Sequence, residues 1–508
     1  MNIRTKRIVK NTFMLYFRTL IMMIVGLYTS RIVINALGIN DYGIYNIVGG
    51  IVGLFGFINS SMTRSTQRFL NFELGKKDSK SINSVFSNSI IIHFVIALVI
   101  FILAETIGLW FVINKLVIPP GQLSAALIVY QCTILSTMLM IIGVPYNSLI
   151  IAYEQMNIFA YFSMVDVFLK LCVAYFISSI AADRLGIYAL LLLIIQIISF
   201  LIYFIYCKRK FSDIKLIIKF NPILFKQMFS FTSWTVIGEL AYIGFTQGIN
   251  ILLNLFFGPI INATRAISVQ VQNAVKQFAG GFQTAMNPQI VKSYSNGDKE
   301  YLNRLVFEGS RISFFLVFIF SVPFLLETNL ILTLWIKMVP EYCCSFVRLI
   351  LVISIVDAMI TPLIIAASAT GVIRNYQIVL GGLLLTIVPI SYLFLKLGLL
   401  PTVVMYVHLG ITIITLFVRL YYAKKLNGLN IKRYFYNVII KSIVSVTPAF
   451  LVIWYFHYYF LEHLNVFSRL MMTIIYMIIL TIIFIKWGLN LAERNYILSK
   501  LYSLKKYY

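Results

Sequence analysis

The chain has 508 residues, of which 60% are hydrophobic and 12% charged, with a mean hydropathy of +0.91; that composition excludes a soluble globular protein and belongs to one that crosses a membrane many times. Its 42 Lys and Arg against 17 Asp and Glu give a formal charge of +25. Topology and attraction to anionic lipid head groups account for that charge without nucleic acid as a partner.

Spanning the hydrocarbon takes about 20 apolar residues per helix. Stretches of that kind run over 12–36, 42–63, 86–113, 123–151, 157–180, 186–206, 228–255, 260–286, 309–333, 342–370, 375–397, 401–422, 438–461 and 467–488. They predict an all-α polytopic membrane protein of about 14 transmembrane helices. The first span follows Arg4, Lys6, Arg7 and Lys10 and has no small-residue cleavage site after it, so it is expected to stay as a helix. Basic residues then crowd every second connection: 68–80, 207–226, 292–311, 424–441 and the tail from Arg494. By the positive-inside rule both termini are expected in the cytoplasm. Five scattered cysteines offer neither a disulfide framework nor a metal-ligand spacing.

An internal repeat is visible. The segment "ALGINDYGIYNIVGGIVG" (36–53) joins spans 1 and 2, and "FFGPIINATRAISVQVQN" (256–273) joins spans 7 and 8. An offset covering six helices gives two halves of the same orientation, expected at 1–207 and 227–425. Residues 208–226 read as a cytoplasmic amphipathic linker, and 426–508 as two added helices with a cytoplasmic tail.

Within the spans, polar residues line up at helical spacing. At about 100° per residue, Arg265, Gln272, Lys276 and Gln283 of span 8 fall within roughly 20° of one another and extend about 27 Å. A stripe of that length does not face lipid. No acidic residue lies on span 8 itself to neutralise Arg265 or Lys276, so water or an anion is expected beside them. Span 7 carries a second stripe that includes Glu239, Thr246 and Asn250. Glu239 reads either as the ion-pair partner of Lys276 or Arg265 or as a protonatable group. Span 2 presents Asn46 and Arg64 on one side.

Arg18 and Arg31 of span 1 are roughly 140° apart on a straight helix. Each is placed to snorkel, and a bend near Gly26 would let both face one cleft. Asp166 and Lys170, four apart on span 5, are placed to neutralise each other. Asp357 of span 10, followed by Pro362, is a candidate for a helix that bends during gating.

The segment "LGINDYGIYNIVGGIVGLFGFINSSMTRSTQRFLNFELGKKD", its echo after span 7 and the fourteen spans resemble the bacterial polysaccharide transporters, the Wzx-type O-antigen flippases. These belong to the multidrug/oligosaccharidyl-lipid/polysaccharide (MOP) exporter superfamily. The resemblance implies two six-helix halves in a V-shaped MATE-like arrangement plus two C-terminal helices, in the bacterial inner membrane. It also implies alternating-access export of an undecaprenyl-pyrophosphate-linked oligosaccharide, for O-antigen, capsule or exopolysaccharide. The implied partners are that substrate, membrane lipids and other polysaccharide-assembly membrane proteins. Arg18, Arg31, Arg64, Arg265 and Lys276 then form a cationic, substrate-binding cavity, lined by Asn46, Gln272, Gln283, Thr246 and Asn250. Glu239, Asp166, Lys170 and Asp357 are candidates for ion pairing or for coupling to H+ or Na+. No other cofactor is implied.

The competing readings are a lipid II-type flippase, a small-molecule or multidrug exporter, and a membrane glycan polymerase or ligase. The enzyme reading is disfavoured by outer connections of mostly under about ten residues. No GxxxxGK[ST] segment is present for ATP.

Overall fold

The computed structural model describes residues 3–53, 56–76, 79–114, 121–180, 183–214, 221–336, 339–460, 465–490 and 494, and no strand occurs among them. Twelve helices are long and apolar enough to cross a membrane. Helices suit that environment because each satisfies its backbone hydrogen bonds internally.

The first helix, Ile3–Gly53, contains α1 (Asn11–Gly38) and is broken at Gly38, where φ is +79°. The helices that follow in residues 56–210 are α2 (Gly56–Lys76), α3 (Ser81–Asn114), α4 (Leu123–Ala152), α5 (Met156–Ser178) and α6 (Arg184–Lys210). Next come α7 (Pro222–Phe257), α8 (Pro259–Ser295), α9 (Lys299–Leu326), α10 (Cys343–Ala369), α11 (Arg374–Lys396) and α12 (Val403–Asn427). The last two are α13 (Ile431–Tyr459) and α14 (Val466–Gly488). Helices α2 and α8 stand outside the apolar twelve because of their polar and charged content; with them the number is the expected fourteen.

Several helices run past the apolar stretches. The second stretch, expected at 42–63, is replaced by the end of the first helix and by α2, which continues to Lys76. α9 begins at Lys299 rather than 309, because Asp298 caps its N-terminus by accepting from the Tyr301 amide at 3.1 Å. Its expected end at 333 is also revised. The helix stops at Leu326, and a separate short helix, Thr328–Ile336, follows Glu327. Within Ile3–Gly53 the only residue with non-helical backbone angles is Gly38, so Gly26 does not break the helix.

Left-handed backbone conformations recur at matching intervals. Gly38 and Gly258 have φ of +79° and +77°, and lie between helices 1 and 2 and between helices 7 and 8. The same relation holds for Gly121 and Tyr342, which precede α4 and α10, and for Glu154 and Gly371, which follow them. Glycine populates this region without a Cβ clash, which accounts for it at both helix breaks.

The chain packs as two compact units, Lys10–Glu239 and Leu240–Tyr508, the latter including Met1–Val9. The boundary falls inside α7, whose first turns pack within the first unit: Phe231 meets Phe69 edge-on at 5.8 Å, and the Thr232 hydroxyl donates to Ser65 Oγ at 2.8 Å. In the first unit, Val129, Tyr130 and Ile134 of α4 form a buried core with Val112, Leu185 and Ala189. Tyr130 donates its hydroxyl to the Ala104 carbonyl at 2.6 Å, in the π-helical turn 104–108 of α3. That carbonyl also accepts from the Leu109 amide within the turn. In the second unit α13 and α14 pack on α9: Phe315 stacks on Phe484 at 4.0 Å, within a cluster containing Phe318, Val446 and Leu480.

Candidate functional site

In the first unit the expected cations take separate neighbours. The guanidinium of Arg18 lies 4.4 Å from the centroid of Phe159 on α5, close to Tyr203 of α6, with its Nε buried and without an acceptor among the described residues. Arg31 is exposed. Arg64 pairs with Glu239. With helical backbone between them, Arg18 and Arg31 stay roughly 140° apart around α1. Asn46 carries a side chain outside the described residues. Lys170 donates to Asp166 at 2.7 Å, and Asp166 also accepts from Ser199 of α6 at 3.1 Å. That carboxylate is engaged between two helices of its own half.

The assignment of Glu239 to Lys276 or Arg265 is corrected. Glu239 holds Arg64, and the partner of Lys276 is Asp357 of α10, at 2.8 Å. The two side chains are 32% and 35% exposed, so water screens the pair.

The other members of the α8 stripe are also bonded to adjacent helices. Gln272 donates to Ser354 Oγ of α10 at 2.9 Å, and Gln283 to Ser313 Oγ of α9 at 3.2 Å. Arg265 differs from them. It is 5% exposed, donates to the Thr246 carbonyl at 2.9 Å and to Asn250 Oδ1, and has a buried Nε without an acceptor. No carboxylate pairs with it among the described residues. The Thr246 hydroxyl bonds back to its own helix, at the Tyr242 and Ile243 carbonyls. The contribution of Thr246 to the site is therefore its backbone oxygen.

Two residues of this cluster went unrecognised. His408 of α12 lies within electrostatic reach of Asp357, Lys276 and Arg265, and packs against Phe245 at 5.2 Å. Tyr242 lies within reach of both Arg265 and Lys276. Tyr242 falls on the α7 stripe, three residues from Glu239 and four from Thr246, so helical spacing was a usable signal. His408 had none, because its neighbours come from other helices. Arg265 and Lys276 bring two cations to this cluster and Asp357 one carboxylate, so it can hold an anionic group.

A second polar cluster in the same unit surrounds Glu327, which is 2% exposed. Its carboxylate receives Arg469 through Nε at 2.6 Å and Nη2 at 2.5 Å, and His457 Nε2 at 2.8 Å. The sequence hid it because Glu327 fell inside the span expected at 309–333. No group of three His, Cys, Asp or Glu residues that would hold a metal ion occurs among the described residues.

No protein-family model and no curated protein matches the chain. Solved structures do. A MATE point mutant superposes with a TM-score of 0.72 at 13% identity, covering 85% of this chain and 98% of its own. An outward-facing multidrug resistance MATE family transporter of the MOP superfamily gives 0.69 at 14% identity, over 84% and 97%. A MOP superfamily transporter from Pyrococcus furiosus, described as having a binding pocket of reversed polarity, gives 0.68 at 13% identity, over 85% and 96%. The chain is thus a multi-pass membrane protein with the fold of the MATE transporters.

Proposed function

We propose that the protein is a flippase that carries an undecaprenyl-pyrophosphate-linked oligosaccharide across the bacterial inner membrane by alternating access, with both termini in the cytoplasm. The observation that carries this reading is Arg265: a buried guanidinium bonded to neutral oxygens, beside a lysine that shares its charge with one carboxylate. A buried cation without an anion is costly. A pyrophosphate oxygen is a stronger, charge-assisted acceptor than Asn250 Oδ1 or the Thr246 carbonyl, and can displace them. Alternating access exposes that site to one side at a time, while the polyprenyl chain remains in lipid. Asp357 and His408 are the groups through which H+ would be coupled.

A strain lacking the protein should accumulate undecaprenyl-linked glycan on the cytoplasmic side, and the native chain should clear it. The Arg265→Ala, Lys276→Ala chain, expressed at equal level, should not. Normal glycan export without the protein, in a strain with no second flippase, would overturn the reading.

One observation favours export of a cationic small molecule instead. The Asp357 carboxylate is only part-buried and pairs with a single lysine, which a cationic compound would displace. Drug sensitivity in the same strain, with unchanged glycan export, would select that reading.

A further inference from the structure

A cavity of about 520 Å³ lies around the Glu327 cluster, with Arg348, Trp454, His457, Tyr458 and Arg469 in its wall. It sits where α9 and α13 end and α10 and α14 begin. That is the end of the unit opposite the basic connections 292–311 and 424–441. The volume falls within the range of about 300–1,000 Å³ usual for small-ligand pockets.

The polar groups of the wall have unequal remaining capacity. Glu327 already accepts from three N–H groups on its two oxygens. Because that carboxylate accepts, His457 Nε2 carries a proton. Its Nδ1 is buried without a partner in a residue only 6% exposed. Arg348 donates through Nε to Thr328 Oγ1 at 2.9 Å and has no carboxylate partner among the described residues. Two further donor nitrogens of its fork remain available to an anion. Trp454 and Tyr458, one turn apart on α13, stack at 6.1 Å with an interplanar angle of 18° and remain about half exposed. They offer a flat apolar surface.

We propose that this cavity binds an acidic sugar: a carboxylate on Arg348, a hydroxyl on His457 Nδ1 and a ring face on Trp454 and Tyr458. Each of the three features alone has an ordinary explanation; aromatic residues, for instance, collect at membrane surfaces. Only a ligand that is anionic, hydroxylated and ring-shaped uses all of them. As an account of the transported glycan the proposal rests on the flippase reading, and the site would then receive sugar on the far side of the membrane from the basic loops.

The test uses the full chain in nanodiscs and needs no transport, so the site and the flippase reading fail separately. Quenching of tryptophan fluorescence would be titrated with glucuronate, glucose and inorganic phosphate, with Trp454→Phe identifying the reporting ring. Glucuronate should quench saturably, with glucose and phosphate each weaker by roughly tenfold or more. Arg348→Gln alters an exposed side chain and should weaken glucuronate by a similar factor of roughly ten while leaving the thermal melt in place. His457→Gln should reduce the preference for glucuronate over phosphate. Glucose equal to glucuronate, phosphate equal to glucuronate, an unaffected Arg348→Gln or no saturable quenching would each overturn the proposal.

Discussion

Glu327 and Arg265 in the second unit and Arg64 and Lys170 in the first are charges held in opposite ways. In the second, Glu327 and Arg265 are 2% and 5% exposed and every strong contact they make comes from another helix. In the first, the side chains of Arg64 and Lys170 are 47% and 45% exposed, and each pairs with one carboxylate. A charge at a dry site is held by the geometry of its partners, and one at a wet site by whatever solvent or ion is nearest. Substitutions should therefore separate these sites by size of effect. The largest is expected for Glu327→Ala, which leaves Arg469 and His457 facing one another without their carboxylate. Breaking a buried pair from one side costs about 3–5 kcal/mol. A thermal melt of the purified chain should fall accordingly, and a melt unchanged from the native chain would remove the distinction between the dry and the wet sites.

Arg265→Met tests the same unit where the partners are neutral. It frees Asn250 Oδ1 and the Thr246 carbonyl in a part-buried setting, at about 1 kcal/mol. Transport should be lost far beyond that, because the site's excess positive charge is removed with it. The Lys276–Asp357 pair should come out weaker. A double-mutant cycle with Lys276→Met and Asp357→Leu should return about 1 kcal/mol, since both side chains are about one-third exposed. A coupling as large as that expected at Glu327 would mean that the pair is dry in the native protein.

What the sequence disclosed follows the same division between local and long-range information. Gly38 and Gly258 close the two halves of a repeat that short segments already displayed, and both adopt the same left-handed conformation. Spacing on one helix also aligned Arg265, Gln272, Lys276 and Gln283. It could not supply their partners, because Ser354, Asp357 and Ser313 lie on α10 and α9. The reading that Lys276 lacked an acid was a statement about its own helix only. Glu327 was lost for a related reason: a hydropathy window averages one charge away, whereas the chain ends α9 there and pairs that charge with α13 and α14. Arg18 and Arg31 depended on a bend at Gly26, a residue that the helix accommodates without breaking.

The smallest effect is expected at Arg64 and Glu239, although these residues join α2 to the middle of α7. With nearly half of the arginine side chain exposed, attraction between the two is offset by the order both must adopt and is screened by salt. A cycle with Arg64→Met and Glu239→Gln should give less than about 1 kcal/mol and decline further between low and high salt. The neighbouring contacts, Phe69 on Phe231 and Thr232 on Ser65, are buried and should hold the helices together in all three variants. If Arg64→Met nevertheless stops transport while the melt and the coupling stay small, its charge acts on the substrate rather than on the fold. The first unit would then share, through an exposed cation, the role assigned to Arg265 in the second.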